Sequence, residues 1–185
     1  MTDRRPGAPG APVPPVNDRL AVIFGPRRRF RPAPPESWRA IEGSVGVTLP
    51  TDYKEFVDGY GDATVFGHLG IPHPGTENGL ADFIETFGPA FLGWQDPWGR
   101  TPPDPELARM IPWALHNGNG DICLLDPPVG ESGWSVVVAY RHFPELSVYP
   151  GTVTDFLELL HEGRDLPREW PQLPAAWQSE ESSLI

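Results

Sequence analysis

The second half of the chain carries the pattern that most limits its fold, a series of short apolar runs separated by turn residues. The runs Ile111–His116 and 121–125 flank the tetrapeptide NGNG at residues 117–120. Asn-Gly steps supply the positive φ angles that a tight hairpin requires. A near-continuous apolar run follows at residues 134–140, and another strand-like run at 145–149. Strands that follow one another in this way pair with their neighbours, so the pattern predicts an antiparallel sheet.

Three other segments have apolar residues at i, i+3 and i+4, as amphipathic helices do. Residues 52–58 follow a predicted cap at Thr51, and residues 155–162 are capped by the segment 152–155. The remaining helix follows a predicted cap at Asn78 and should end at Gly88-Pro89. The predicted buried positions are Tyr53, Phe56 and Val57; Leu80, Phe83, Ile84 and Phe87; and Phe156, Leu157, Leu159 and Leu160.

Shorter elements complete the pattern. Asn17 and Ser37 are predicted caps of two short helices, residues 64–71 read as one strand ended by Pro72, and a helical turn is predicted at 105–109. Helices thus precede, interrupt and follow a run of strands. We expect an α+β fold, with an antiparallel sheet of about four to six strands and helices packed mainly on one side.

Composition divides the chain into a body and two tails. Nine of the 25 prolines fall within the first 35 residues. We therefore expect residues 1–16 to form a disordered Pro/Gly-rich tail and residues 17–163 to form the α+β domain. Residues 164–185 read as a polar tail that could dock back through Trp170 and Trp177.

The charge is unevenly distributed. Residues 1–40 carry eight Arg against three acids, whereas residues 41–185 carry six Lys or Arg against 22 acids. Such a body repels nucleic acid phosphates and would attract a basic protein. The alternative is that the acidic surface only keeps the protein soluble.

Location is inferred from what the sequence lacks. No apolar run approaches the length of a membrane span, no secretory signal is evident near the first residue, and the single cysteine, Cys123, excludes an internal disulfide framework. We expect a cytoplasmic protein without a nucleic acid or membrane partner.

Catalytic and metal-binding patterns are weak. The five histidines, at 68, 73, 116, 142 and 161, show no metal-ligand spacing, so neither a metal nor a cofactor is expected. His116 near Asp121 is the least implausible catalytic pair, but a histidine at a hairpin edge is more often solvated or satisfied. A buried, inert thiol is the preferred interpretation of Cys123. We expect no enzymatic activity and name no catalytic residue.

A long loop at residues 93–110 carries the most suggestive side chains. Trp and Arg dominate binding hot spots, so its tryptophans resemble interface anchors. The alternative is that they fold back to cover the sheet. The predicted partner contacts, on a sheet face and nearby loops, are Asp62, Trp94, Asp96, Trp98, Asn117 and Asp121.

A set of short motifs spans residues 36–162: WRAIE at 38–42, LPTDYKEF at 49–56, YG at 60–61, IPW at 111–113, and TDFL at 154–157. In this order and spacing they resemble the SUKH superfamily of bacterial immunity proteins and fungal cell-wall-assembly regulators. The residues that carry the resemblance are Trp38, Ile41, Leu49, Pro50, Tyr53, Phe56, Tyr60, Gly61, Trp113, Trp134, Phe156 and Leu157.

The resemblance implies a non-enzymatic scaffold in which those residues set the helix pair and the sheet. Bacterial members are mostly immunity proteins that bind toxin domains, often nucleases. It therefore implies a protein partner, a toxin domain, and the acidic body favours a basic one. A regulatory or scaffold protein of the same fold with no toxin partner is the alternative, and an enzyme centred on His116 and Asp121 is a third hypothesis. The oligomeric state stays open.

Overall fold

The computed structural model describes residues 15–28, 32–95 and 104–180. The described part contains six helices and seven strands. They are α1 (Val16–Phe24), α2 (Pro35–Val45), α3 (Thr51–Tyr60), β1 (Ala63–Val65), β2 (Leu69–Ile71), α4 (Leu80–Gln95), α5 (Pro105–Ala108), β3 (Ile111–His116), β4 (Ile122–Asp126), β5 (Ser135–Ala139), β6 (Leu146–Pro150), α6 (Val153–Glu162) and β7 (Trp177–Ser179).

All the strands join one antiparallel sheet in the order β6-β5-β4-β3-β2-β1-β7. Strands β1 to β6 form a meander, in which each strand pairs with the next along the chain. The last strand, β7, returns to the other edge and sets Ala63 opposite Ser179. The predicted α+β class is confirmed, with seven strands described where about four to six were expected.

Residues 64–71 do not form the single predicted strand. Phe66 and Gly67 adopt φ angles of 52° and 72°, which reverse the chain and close the β1–β2 hairpin. Phe66 is buried in this unusual conformation. The prediction is wrong because a bulky residue in the left-handed region is rare, and nothing in the local sequence signals it.

Helix α4 continues through the predicted stop at Gly88-Pro89 to Gln95. Pro inside a helix costs roughly 3 kcal/mol. The turns beyond Pro89 bury Phe91 and pack Leu92 and Trp94 against the sheet, and burial of large apolar side chains returns about 2 kcal/mol each. Tertiary packing therefore outweighs the local break.

The predicted N-caps of α1, α2 and α3 are wrong. Pro15, Pro34 and Pro50 occupy the N-cap positions of α1, α2 and α3, so Asn17, Ser37 and Thr51 do not cap them. Asn78 has a φ of 53° and lies ahead of α4. The predicted cap of α6 is confirmed, since Thr152 and Asp155 form a reciprocal capping box.

One face of the sheet, called the helical face below, is covered by α1, α2, α3 and α6, whose buried side chains form one cluster with the strands. Trp113 lies fully buried within it, with ring centroids 5.8 Å from Tyr53 and 6.4 Å from both Phe56 and Phe156. The residues of the resemblance that are buried in this cluster are Trp38, Ile41, Leu49, Tyr53, Phe56, Tyr60, Trp113, Phe156 and Leu157; Trp134 packs against it half-buried.

The two other motif residues act on the backbone of α3. Pro50 precedes the helix, and Gly61 ends it. A Cβ at Gly61 would lie 2.6 Å from the Val57 carbonyl oxygen, so this close helix end requires glycine.

The opposite face of the sheet carries a smaller cluster. Phe91 of α4 packs there against Ile122, Leu124, Val137 and Ala139, with Leu107 of α5 at its margin.

Residues 164–180 pack onto the body beyond the predicted boundary at 163. Trp170 is buried, and the Trp177 indole N–H donates to the Tyr60 carbonyl oxygen at 2.8 Å. We call residues 164–180 the C-terminal strap. Within the described ranges, no helix combines the length and apolarity needed to cross a bilayer.

Candidate functional site

A groove of about 530 Å³ lies between the first half of α4 and strands β2 and β3, with Asp62 before β1 and Glu180 after β7 at its edge. Its walls come from parts of the chain that are distant in sequence, because β7 brings the end of the strap beside β1. We call it the acidic groove. It is lined by Asp62, Gly70, Ile71, Pro72, Asn78, Phe83, Phe87, Leu115, Asn117 and Glu180.

The floor of the acidic groove is apolar and aromatic. Phe83 and Phe87 lie one helical turn apart on α4, with ring centroids separated by 4.5 Å. Both are half-buried, as is Leu115 on β3. These side chains are held in place by the fold while part of each remains in contact with solvent.

A polar network crosses the rim. The Asn117 amide nitrogen donates to the Thr64 hydroxyl at 3.1 Å, and that hydroxyl donates to the Glu180 carboxylate. The Glu180 backbone N–H donates to the Asp62 carbonyl oxygen at 3.0 Å. The network fixes an amide and two acidic residues on one side of the groove.

The charged side chains that line the groove, Asp62 and Glu180, are both acidic. No lysine or arginine occurs between Lys54 and Arg100, and this segment supplies most of the lining. The acidic residues in the same segment are Glu55, Asp58, Asp62, Glu77, Asp82, Glu85 and Asp96. An apolar floor under a negative rim suits an amphipathic cation.

The structure brings two of the predicted partner contacts, Asp62 and Asn117, into this groove. Trp94 lies on α4 and is half-buried against the cluster of the opposite face. Trp94 therefore covers the sheet, as in the alternative interpretation of the loop tryptophans, in which they fold back onto the sheet. Asp96 and Trp98 lie outside the described residues.

Asp121 is buried, with 3% of its surface exposed. Its carboxylate accepts from the Trp170 indole N–H at 2.9 Å and from the Arg141 backbone N–H at 3.0 Å. Its predicted role as a partner contact is therefore corrected, because both carboxylate oxygens hold the C-terminal strap and the β5 end together.

Other lining residues were missed from the sequence. Phe83 and Phe87 were assigned to the core, because periodicity identifies an apolar helix face but not whether another element covers it. Glu180 was assigned to a tail. No local signal predicts that β7 would bring it beside β1.

A second cluster of polar side chains lies inside the helical face. The rings of His68 and His116 are 4.4 Å apart, and both contact Trp170. His116 Nδ1 accepts from the backbone N–H of Gly118 at 3.1 Å, and His68 Nδ1 donates to the Phe66 carbonyl oxygen at 2.9 Å. Within the part of the chain that the structure describes, neither Nε2 atom has a hydrogen-bond partner.

These imidazoles favour the neutral form. Burial, reinforced by the neighbouring His116, lowers the pKa of His68 to about 4. Burial also lowers the pKa of His116, although Asp121 opposes the shift. Burial likewise raises the pKa of the Cys123 thiol well above its usual value, which keeps it protonated. Among the described residues, no group of three or more His, Cys, Asp or Glu is arranged to hold a metal ion.

Comparison with known proteins gives one family match. A model of the SMI1 / KNR4 family (SUKH-1) matches residues 32–159, from just before α2 to within α6. The match includes every lining residue of the acidic groove except Glu180. Comparisons with curated proteins and with solved structures give no match.

Proposed function

Because the chain belongs to the SMI1 / KNR4 family (SUKH-1), we propose that it is an immunity protein that binds and neutralises a toxin domain without catalysing a reaction. Membership supports a protein-binding function of the immunity or regulator type in general. The toxin is the specific part of the proposal. The observation that carries it is the acidic groove, an open surface with an aromatic floor and a carboxylate rim.

The polar groups suited to catalysis are used within the fold, which supports a binding role. His116 is buried beside His68 and Trp170, and both oxygens of Asp121 accept hydrogen bonds from other parts of the chain. A general base must reach a proton on its substrate. Neither residue lines the acidic groove.

Charge supports a basic toxin domain of the nuclease type. A nuclease needs cationic surface to hold phosphates, whereas residues 41–185 of this chain carry 22 acids against six Lys or Arg. Complementary charge speeds association and favours the correct partner. Covering that cationic surface would exclude the nucleic acid substrate.

Co-expression tests the proposal directly. Toxin domains, beginning with any encoded beside this gene, are expressed in bacteria with and without the full chain. We expect one of them to be neutralised and to form a purified complex with a dissociation constant on the order of 10⁻⁷ M or lower. If no toxin domain is neutralised or bound, the toxin proposal is wrong and a regulatory partner becomes the better hypothesis. Catalytic turnover that is lost in His116→Ala would contradict a purely binding role.

A further inference from the structure

We propose that the acidic groove receives an arginine side chain from an exposed segment of the partner, with the alkyl stem across Phe83 and Phe87 and the guanidinium at the rim formed by Asp62, Asn117 and Glu180. This inference rests on the proposed protein-binding function and assigns its contact surface. It commits to a basic protein segment as the occupant.

The groove has room for a side chain together with the backbone that carries it. Its volume of about 530 Å³ falls within the range of roughly 300–1,000 Å³ that small-ligand pockets occupy. Gly70 contributes backbone to the lining, and a Cβ there would lie 3.0 Å from Asn117 Oδ1. The glycine therefore lets the Asn117 amide lie close against β2.

The floor favours arginine in particular. The Phe83 and Phe87 rings are tilted by 35° with centroids 4.5 Å apart, and both remain partly exposed. A guanidinium and its alkyl stem stack on aromatic rings better than an ammonium does, because the guanidinium is planar and weakly hydrated. A purely apolar side chain would use the floor but leave the rim unused.

The rim supplies acceptors for a planar donor. Asn117 is oriented by its bond to Thr64, and Thr64 in turn bonds the exposed Glu180 carboxylate. Pre-positioned carboxylates bind guanidinium through paired, charge-assisted hydrogen bonds. The adjacent Asp62 adds negative charge to the same side.

A comparison with a second groove shows why a basic segment would bind in the acidic groove. It has a volume of about 500 Å³, lies between the end of α2 and helices α4 and α5, and is also lined mainly by apolar side chains. Its charged lining residue is Arg109, which pairs with Asp126 at 2.7 Å. A basic segment therefore has no electrostatic reason to enter it.

The test uses the full ¹⁵N-labelled chain and two short peptides that differ only at the central residue, arginine or its neutral isostere citrulline. We expect the arginine peptide to shift the amide signals of Gly70, Phe83, Phe87 and Asn117, and the citrulline peptide to bind at least about tenfold more weakly. Equal binding of both peptides, no binding, or shifts confined to other surfaces would overturn the inference.

Matched variants distinguish the effect of charge in the groove from the effect of the protein's overall charge. Asp62→Asn with Glu180→Gln removes two charges and keeps the shapes, and Asn tolerates the positive φ of 56° at position 62. The control, Asp165→Asn with Glu131→Gln, also changes a positive-φ aspartate and an exposed glutamate, outside the groove. We expect the arginine peptide to lose at least about tenfold in affinity with the groove pair and less than about twofold with the control.

The two proposals fail separately. If a toxin domain binds the groove pair as tightly as the unaltered chain, this inference is overturned and the immunity function stands. If the arginine peptide binds in the groove while no toxin domain binds the protein, the groove assignment stands and the toxin proposal is wrong.

Discussion

The two faces of the sheet are covered in different ways. On the helical face, four helices and the C-terminal strap enclose a continuous aromatic cluster that includes the fully buried Trp113. On the opposite face, α4 covers a cluster with only five buried members in the described chain, and its first half stands beside the acidic groove. The difference indicates that the helical face stabilises the fold, whereas the opposite face provides the binding surface.

Neighbouring residues of β4 and β5 serve these two faces. Cys123 and Val138 point into the helical face, while the adjacent Leu124 and Val137 point into the opposite cluster. Side chains alternate along a strand, so a continuous apolar run means that both faces are covered. The cover on the opposite face is incomplete near the groove, where Leu115 is half-buried, and at β6, where Val148 lies beside Val137 and is 57% exposed.

The largest expected effect comes from the helical face. Trp113→Ala removes a ring that contacts Tyr53, Phe56 and Phe156, and should lower the free energy of unfolding by about 3–5 kcal/mol. Phe87→Ala, in the groove, should cost less than about 1.5 kcal/mol because that ring is only half-buried. Urea denaturation measures both. Equal losses would mean that the two faces do not differ in their contribution to stability.

The C-terminal strap gives the next effect. Trp170→Phe keeps an aromatic ring against the histidines but removes the indole N–H that bonds Asp121. A buried carboxylate that loses a donor should destabilise the fold by about 1–3 kcal/mol. The control is Trp177→Phe, whose ring is half-buried and whose indole bonds a carbonyl oxygen, and it should cost less than about 1 kcal/mol. If Trp170→Phe is neutral in urea denaturation, the strap is not part of the stabilising face.

Protonation of His68 at low pH should lower the free energy of unfolding. Its pKa is about 4 in the folded protein, below the usual value near 6.5, so the unfolded chain binds the proton first. The stabilising contribution is complete above about pH 6.5 and is lost as the pH falls towards 4, with a size of about 3 kcal/mol. His116 shares this environment, while Asp121 favours its charged form. Subtracting the pH–stability curve of His68→Asn from that of the unaltered chain isolates the effect, and superimposable curves would contradict it.

Much of the fold could be predicted from the sequence because its signals are local. The NGNG turn, the apolar runs around it and the capping box at Thr152 and Asp155 identify the meander and α6. The β1–β2 hairpin escaped prediction because it depends on Phe66 in a left-handed conformation. The extension of α4 escaped because tertiary burial of Phe91 offsets the Pro89 penalty.

The candidate site was predictable only in part. Asp62 and Asn117 were among the predicted partner contacts, and both line the groove. Its aromatic floor and Glu180 did not stand out, because one depends on incomplete cover over α4 and the other on pairing between β7 and β1. Those are long-range relations that no local pattern encodes.

Amide hydrogen–deuterium exchange of the full chain, with and without a neutralised toxin domain, tests the division between the two faces most directly. We expect added protection at residues 62–71, 78–87 and 115–118, around the acidic groove. Exchange in α1, α2 and α6 should be unchanged. Protection confined to those three helices would show that the partner binds the helical face, and would contradict the assignment of binding to the groove.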